Sequence, residues 1–124
     1  MIHLDTNYLV RMLVSGFTQA LAIDQWLVSG QSLATSAVPW SEFLNGPVTQ
    51  VEIIQVGAVL ESRIIPFGRP EAQIAANLFN QSGRRRGSRF DCLIAATAIS
   101  SQAELATSNL SDFKPFTALG LKLV

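Results

Sequence analysis

Four carboxylates and one amide fall at positions that suggest shared chemistry: Asp5, Glu42, Asp91 and Asp112, with Asn109 close by. In open α/β sheets, ligands bind outside the carboxyl ends of the strands. Asp5 ends the first apolar segment and Glu42 follows the second. Asp91 sits in the first turn of a helical segment leading to the fourth, and Asn109 and Asp112 follow that fourth segment. A parallel sheet with right-handed crossovers brings such positions to one edge. Carboxylates gathered there repel, and without a cation some stay protonated. Mg²⁺ resolves the repulsion, since it takes oxygen ligands, binds one or two carboxylates directly and keeps several waters. Such ions generate a hydroxide nucleophile and neutralise the charge that develops on a phosphodiester.

The composition leaves few rivals to oxygen-ligand chemistry. The 124 residues carry one cysteine, Cys92, and one histidine, His3, so neither an internal disulfide nor a Cys/His zinc site can be assembled. His3 lies inside the first apolar segment, a poor place for a Ser-His-Asp triad. Hydrophobic residues reach 48 % and charged residues only 15 %, which argues against disorder and for one core, with surface left to bury in a dimer. No apolar run reaches the roughly 18 residues of a membrane span. The opening Met-Ile-His-Leu-Asp-Thr-Asn lacks a basic region, so a cytoplasmic protein without a signal peptide is expected. Nine Lys and Arg balance nine Asp and Glu, and this zero sum predicts no global attraction to nucleic acid.

The elements that must position the acids alternate. Strands are predicted over 2–4, 33–36, 63–67, 105–107 and 121–124. Helices are predicted from 7, over 17–28, 39–44 and 48–60, from 70, and over 89–100. In the last of these Phe90, Leu93, Ile94 and Thr97 share one face. Strands separated by helices rather than hairpins specify a parallel α/β sheet with helices on both faces, as a single domain over 1–124.

Each acid also has an ordinary structural explanation. Asp5 fits the cap of a helix starting at Thr6-Asn7. Ser88 and Asp91 have capping-box spacing. Glu42 suits an early helix turn, and Asp112 suits the turn Ser-Asp-Phe-Lys-Pro. Spacing alone leaves these alternatives open.

Four segments in order carry a resemblance. Ile-His-Leu-Asp-Thr-Asn (2–7) resembles the opening of a PIN domain, and Ser-Glu-Phe (41–43) its second acidic segment. Arg-Phe-Asp-Cys-Leu-Ile-Ala-Ala-Thr-Ala (89–98) resembles the third, and Ala-Thr-Ser-Asn-Leu-Ser-Asp-Phe (106–113) the fourth. The compact length is most similar to VapC-type toxins of bacterial toxin–antitoxin pairs. The resemblance implies a three-layer α/β/α sandwich with five parallel strands ordered 3-2-1-4-5, and a metal-dependent ribonuclease. It implies that Asp5 and Asp91 hold Mg²⁺ or Mn²⁺ and that Glu42 completes the cluster or positions the attacking water. Thr6, Asn7 and Thr107 would orient carboxylates or phosphate. It also implies a small antitoxin partner and a homodimer. The chain departs from the family at the fourth acidic position, where Asn109 stands in place of the usual Asp. Asp112 is the candidate substitute.

Four of the nine basic residues lie within six positions: Arg84, Arg85, Arg86 and Arg89. Arg86 and Arg89, nearest Asp91 in sequence, are expected to bind phosphate. Arg84 and Arg85 are expected to be a solvated loop, and Arg11 is placed within reach of the Asp5 region. Trp26, Trp40 and Cys92 are expected to pack. Two other functions compete with the nuclease. One is a PIN-like RNA- or protein-binding module with weak catalysis, motivated by Asn109. The other is a phosphotransfer domain with Asp5 as nucleophile, disfavoured because Asn7 stands where a phosphatase needs a second Asp.

Overall fold

The computed structural model describes residues 1–124. Five strands, β1 (Ile2–Leu4), β2 (Leu33–Ser36), β3 (Ile64–Ile65), β4 (Glu104–Ala106) and β5 (Lys122–Leu123), form one sheet in the order 3-2-1-4-5. Every pairing is parallel. In register, β1 runs Ile2 against Leu33 on one side and against Glu104 on the other. β1 is therefore the central strand and is paired on both edges.

Seven α-helices and one 3₁₀ helix complete the fold. They are α1 (Thr6–Arg11), α2 (Thr18–Val28), α3 (Ala37–Asn45), α4 (Gln50–Val59), α5 (Arg69–Gln81), α6 (Arg89–Ser100) and α7 (Leu110–Phe113), with the 3₁₀ helix over Lys114–Leu119. Local chemistry sets several starts. Thr49 and Glu52 form a reciprocal capping box on α4, with hydrogen bonds of 3.2 and 3.0 Å. Glu71 accepts from the Gly68 N–H at 3.1 Å and Pro70 sits in the first turn of α5. The α3 helix begins two residues before Pro39, because a first-turn position needs no N–H.

Adjacent residues of a strand point to opposite faces of the sheet. Leu105 joins an apolar cluster with Ala75, Leu78, Ala95, Ala96, Phe113 and Phe116, whereas Ala106 joins the opposite one with Ile2, Leu4, Leu9, Leu33 and Phe43. Helices α5, α6 and α7 thus cover one face, and α1 to α4 cover the other. Ala95, Ala96 and Ala98 of α6 are fully buried, and their small side chains let that helix lie close on the sheet.

The strands are shorter than the sequence pattern suggests. β3 covers two of the five residues expected, and β5 two of four. Both are edge strands, where pairing on one side only ends the ladder early. Thr107 falls just beyond β4 and is free to turn its side chain toward the end of β1. Ser88 does not cap α6. Its hydroxyl donates to the Arg85 carbonyl at 2.8 Å instead, so the capping-box reading of Asp91 is removed.

Candidate functional site: an acidic cleft at the ends of β1, β2 and β4

Asp5 ends β1 and is 4 % exposed. Its two carboxylate oxygens are held separately. Oδ1 accepts from the Thr6 backbone N–H at 2.8 Å, and Oδ2 accepts from the Thr107 hydroxyl at 2.6 Å. The first bond is the helix-capping contact. Capping and a site role are therefore compatible in one residue, because each oxygen keeps a further lone pair.

The loop after β4 is tied to the turn after β1. The Asn109 N–H donates to the Thr107 hydroxyl oxygen at 3.0 Å, extending the chain of bonds that ends on Asp5. The Ser108 N–H donates to Asn7 Oδ1 at 3.3 Å. The Gln19 side chain, buried on α2, donates to the Ser108 hydroxyl at 2.8 Å. Gln19 was not among the sequence candidates, since a lone helical glutamine carries no motif.

A cleft of about 290 Å³ opens where these elements meet. Its walls are Asp5, Thr6, Asn7, Glu42, Phe90, Asp91, Ile94 and Asn109. All four predicted catalytic positions, Asp5, Glu42, Asp91 and Asn109, line this one space, although they are up to 104 positions apart in the chain. Thr6 lines it with a buried hydroxyl that makes no full hydrogen bond. Thr107 stands behind Asp5 and is 5 % exposed.

The electrostatics follow the geometry. Burial, then the charge of Asp112, then that of Asp5, push the Asp91 carboxyl up to about 6, while Arg85 opposes the rise. Glu42 is exposed over much of its surface, but partial burial and the charge of Asp5 still raise it, with the Thr6 hydroxyl pulling the other way. Asp112 lies outside the cleft wall and is exposed, yet it is the strongest charge acting on Asp91. Asn109, not Asp112, fills the fourth wall position.

The arginines arrange themselves differently from their sequence order. Arg89 turns away from the cleft and stacks over Phe79 at 4.9 Å, because residues two apart on a helix point to nearly opposite sides. Arg84 stacks on the same ring at 5.0 Å. Arg86 is exposed and lines no cavity. Arg85 is the one that acts on Asp91. It is half-buried, donates to the Asp112 carbonyl at 3.2 Å and lies 5.6 Å from the Phe116 ring. Gly87 closes the loop with φ +80°, a conformation that side chains disfavour, and so the loop's arginines point apart. Arg11 stacks over Phe17 at 4.9 Å and does not line the cleft.

His3 takes no part. It is 2 % exposed, neither ring nitrogen has a partner, and burial lowers it to about 4, so it is neutral near pH 7. The donors around the cleft are oxygens: two carboxylates that face one another's charge, a third nearby, a hydroxyl and amides. No three His, Cys, Asp or Glu side chains converge closely enough to enclose an ion by themselves. This set suits a hard cation that takes one or two carboxylates and completes its shell with water.

The fold has well-defined relatives among solved structures. FitAcB from Neisseria gonorrhoeae superposes with a TM-score of 0.76 at 21 % identity, covering 100 % of this chain and 97 % of that one. VapBC2 from Rickettsia felis, bound to a DNA fragment from its promoter, gives 0.70 at 26 % identity, covering 100 % and 98 %. A toxin–antitoxin complex from Klebsiella pneumoniae gives 0.72 at 24 % identity, covering 91 % and 90 %. No curated protein matches the chain. The PIN domain model matches residues 2–115, the span that contains every wall of the cleft. With that match over most of its length, the chain belongs to the PIN-domain family.

Proposed function

We propose that this protein is a Mg²⁺- or Mn²⁺-dependent endoribonuclease and the toxin of a toxin–antitoxin pair, acting in the cytoplasm. The observation that carries the reading is the convergence of Asp5, Glu42, Asp91 and Asn109 on one cleft, with Asp91 raised to about 6 by burial and negative neighbours. Asp5 and Asp91 would hold a hard cation that relieves this repulsion, and the chemistry such an ion would supply is a water of lowered pKa for attack on a phosphodiester. Asp5 and Asp91 are the ligands in this reading. Thr107 and the Thr6 N–H hold the Asp5 carboxylate in one orientation. Glu42, raised by its surroundings, is suited to accept a proton from the attacking water. Asn7 braces the loop that carries Asn109.

The toxin assignment rests on the family and on fold neighbours solved as toxin–antitoxin complexes. A small antitoxin and a second copy of the chain are the proposed partners. Apolar residues exposed on α1, α2 and the turn between them, among them Val10, Leu13, Phe17 and Leu21, offer surface for such contacts. No helix is long and apolar enough to cross a membrane.

The test is cleavage of RNA by purified protein with Mg²⁺ or Mn²⁺, abolished by a chelator and by Asp5→Asn with Asp91→Asn. Equal cleavage by the wild type and that double variant would refute the assignment. The binding-module alternative draws on Asn109, whose amide brings no charge to the fourth position. Calorimetry that finds RNA binding without Mg²⁺ or Mn²⁺ binding would favour it.

A further inference from the structure

Phe90 is the most exposed aromatic of the chain, at 64 %, and it lies on the wall of the acidic cleft beside Asp91. Helical periodicity places it with the buried residues Ile94 and Thr97, but it stands on the first turn of α6, at the rim where the helix emerges. Phe90 and Ile94 are four apart and both line the cleft, so they form one continuous apolar wall. Ile94 is 4 % exposed and forms its base, while Phe90 forms its lip. The rest of the lining, which includes Asn7, Glu42 and Asn109, is polar.

Single exposed apolar side chains are common, but Phe90 is set apart by its place on the wall of the carboxylate cleft, continuous with Ile94. That setting suits a ligand with two parts: an anion, which a cation held by Asp5 and Asp91 would attract, and a planar apolar face next to it. A nucleotide in a single strand has both, since its base is attached through one sugar to its phosphate. A duplex does not offer the face, because its bases are already stacked and paired. The other exposed apolar residues with aromatic character do not share this setting. Phe17 packs under Arg11 away from the cleft.

We propose that Phe90 is a stacking platform for an RNA base adjoining the phosphate held at the acidic cleft. The inference rests on the ribonuclease reading for the identity of the ligand. Asn109 and Asn7, which also line the cleft, carry amides of the kind that hydrogen-bond base edges.

The experiment uses short single-stranded RNA with one 2-aminopurine at each position in turn, mixed with the full chain and Mg²⁺ in a stopped-flow fluorimeter. Stacking quenches the probe before any cleavage. The wild type is expected to quench at one position. Phe90→Ala and Phe90→Leu lose that quench and weaken binding by about 10- to 100-fold, with kcat changed much less than KM. Phe90→Trp and Phe90→Tyr restore both, which a merely apolar contact would not require. A paired duplex of the same sequence binds more weakly than the single strand.

Wild-type quenching by Phe90→Ala, or full binding by Phe90→Leu, would overturn the proposal. So would a wild type that binds no RNA, or a Phe90→Ala effect confined to a protein partner. The two readings fail separately. Cleavage by the wild type that Phe90→Ala leaves unchanged removes the platform alone. Phe90-dependent quenching with no cleavage removes the nuclease alone.

Discussion

Helix α6 is shared by two hollows of opposite character. On one side Phe90, Asp91 and Ile94 face the acidic cleft of about 290 Å³. On the other side Arg89, Cys92 and Leu93 join Phe67, Phe79 and Arg84 around a larger groove of about 380 Å³. The larger hollow holds the arginines, but they are spent on the face of Phe79. The smaller one holds the acids and has no cation on its wall. Size therefore does not locate the chemistry here. What locates it is unresolved charge, and α6 separates a region that has settled its charges from one that has not.

The largest way to break this contrast is to remove the charge. Asp91→Asn is expected to reduce RNA cleavage to background while the fold persists, since the amide keeps the shape and loses the negative charge. Circular dichroism beside a cleavage assay would show whether both hold. Lowering the pH should act in the same direction. A proton competes with the cation at Asp91, so apparent Mn²⁺ affinity should weaken by about tenfold per pH unit below about 6. A flat calorimetric profile between pH 7 and 5 would mean that Asp91 is not a ligand.

A second effect separates the two faces of the sheet by stability. Ile2 and Leu4 point to the α1–α4 side, so His3 between them points to the α5–α6 side. The unfolded imidazole takes its proton near 6.5 and the folded one only near 4. Between those values the unfolded state binds more protons, and stability falls as pH falls, by about 3 kcal/mol in all. Asp91 opposes this, because its raised carboxyl takes a proton in the folded state first. Urea midpoints should therefore fall more steeply with acid in Asp91→Asn than in the wild type. In His3→Leu, where only the raised Asp91 carboxyl remains, they should hold or rise as the pH falls through about 6. An unchanged slope in His3→Leu would show that the buried imidazole is not the acid-sensitive group.

Smaller effects sharpen the same comparison. Thr107→Val keeps volume but removes the hydrogen bond to Asp5. A loss of about 10- to 100-fold in metal affinity or activity is expected, measured by Mn²⁺ titration. Smallest is Arg89→Ala in the other groove. It gives up an exposed contact with Phe79 worth under about 1 kcal/mol and should leave cleavage as it was. A large loss of cleavage in that variant would return Arg89 to the role its sequence position suggests.

The sheet and its order were readable because strands alternate with helices and because four segments match a family pattern in order. The acids were readable for the same reason: Asp5 follows a strand and Asp91 lies in a first helix turn, while Glu42, expected in an early turn, stands in the second half of α3 because that helix starts at Ala37. Side-chain direction at loops and first turns was not. Periodicity sorts residues around a helix axis, but it does not tell where the sheet beneath the helix stops, and Phe90 lies past that point. The arginine loop runs through left-handed backbone at Gly83, Arg84 and Gly87, which reorders its side chains in space relative to the chain. Arg85 thus reaches Asp91 while Arg86 and Arg89 do not. Gln19 became visible only when the loop it braces was in place.

The bond between Thr107 and Asp5 spans 102 positions, and β1 pairs with β4 across a similar distance. A ribosome adding residues from one end makes Asp5 about a hundred residues before Thr107. Until β4 emerges, β1 lacks one of its two neighbours and the cleft lacks a wall. The nascent chain therefore carries Asp5, Glu42 and Asp91 before the cleft can close, and the site is assembled only once β4 has emerged. Arrested chains ending before and after β4 would show this directly, by comparing their Mn²⁺ binding.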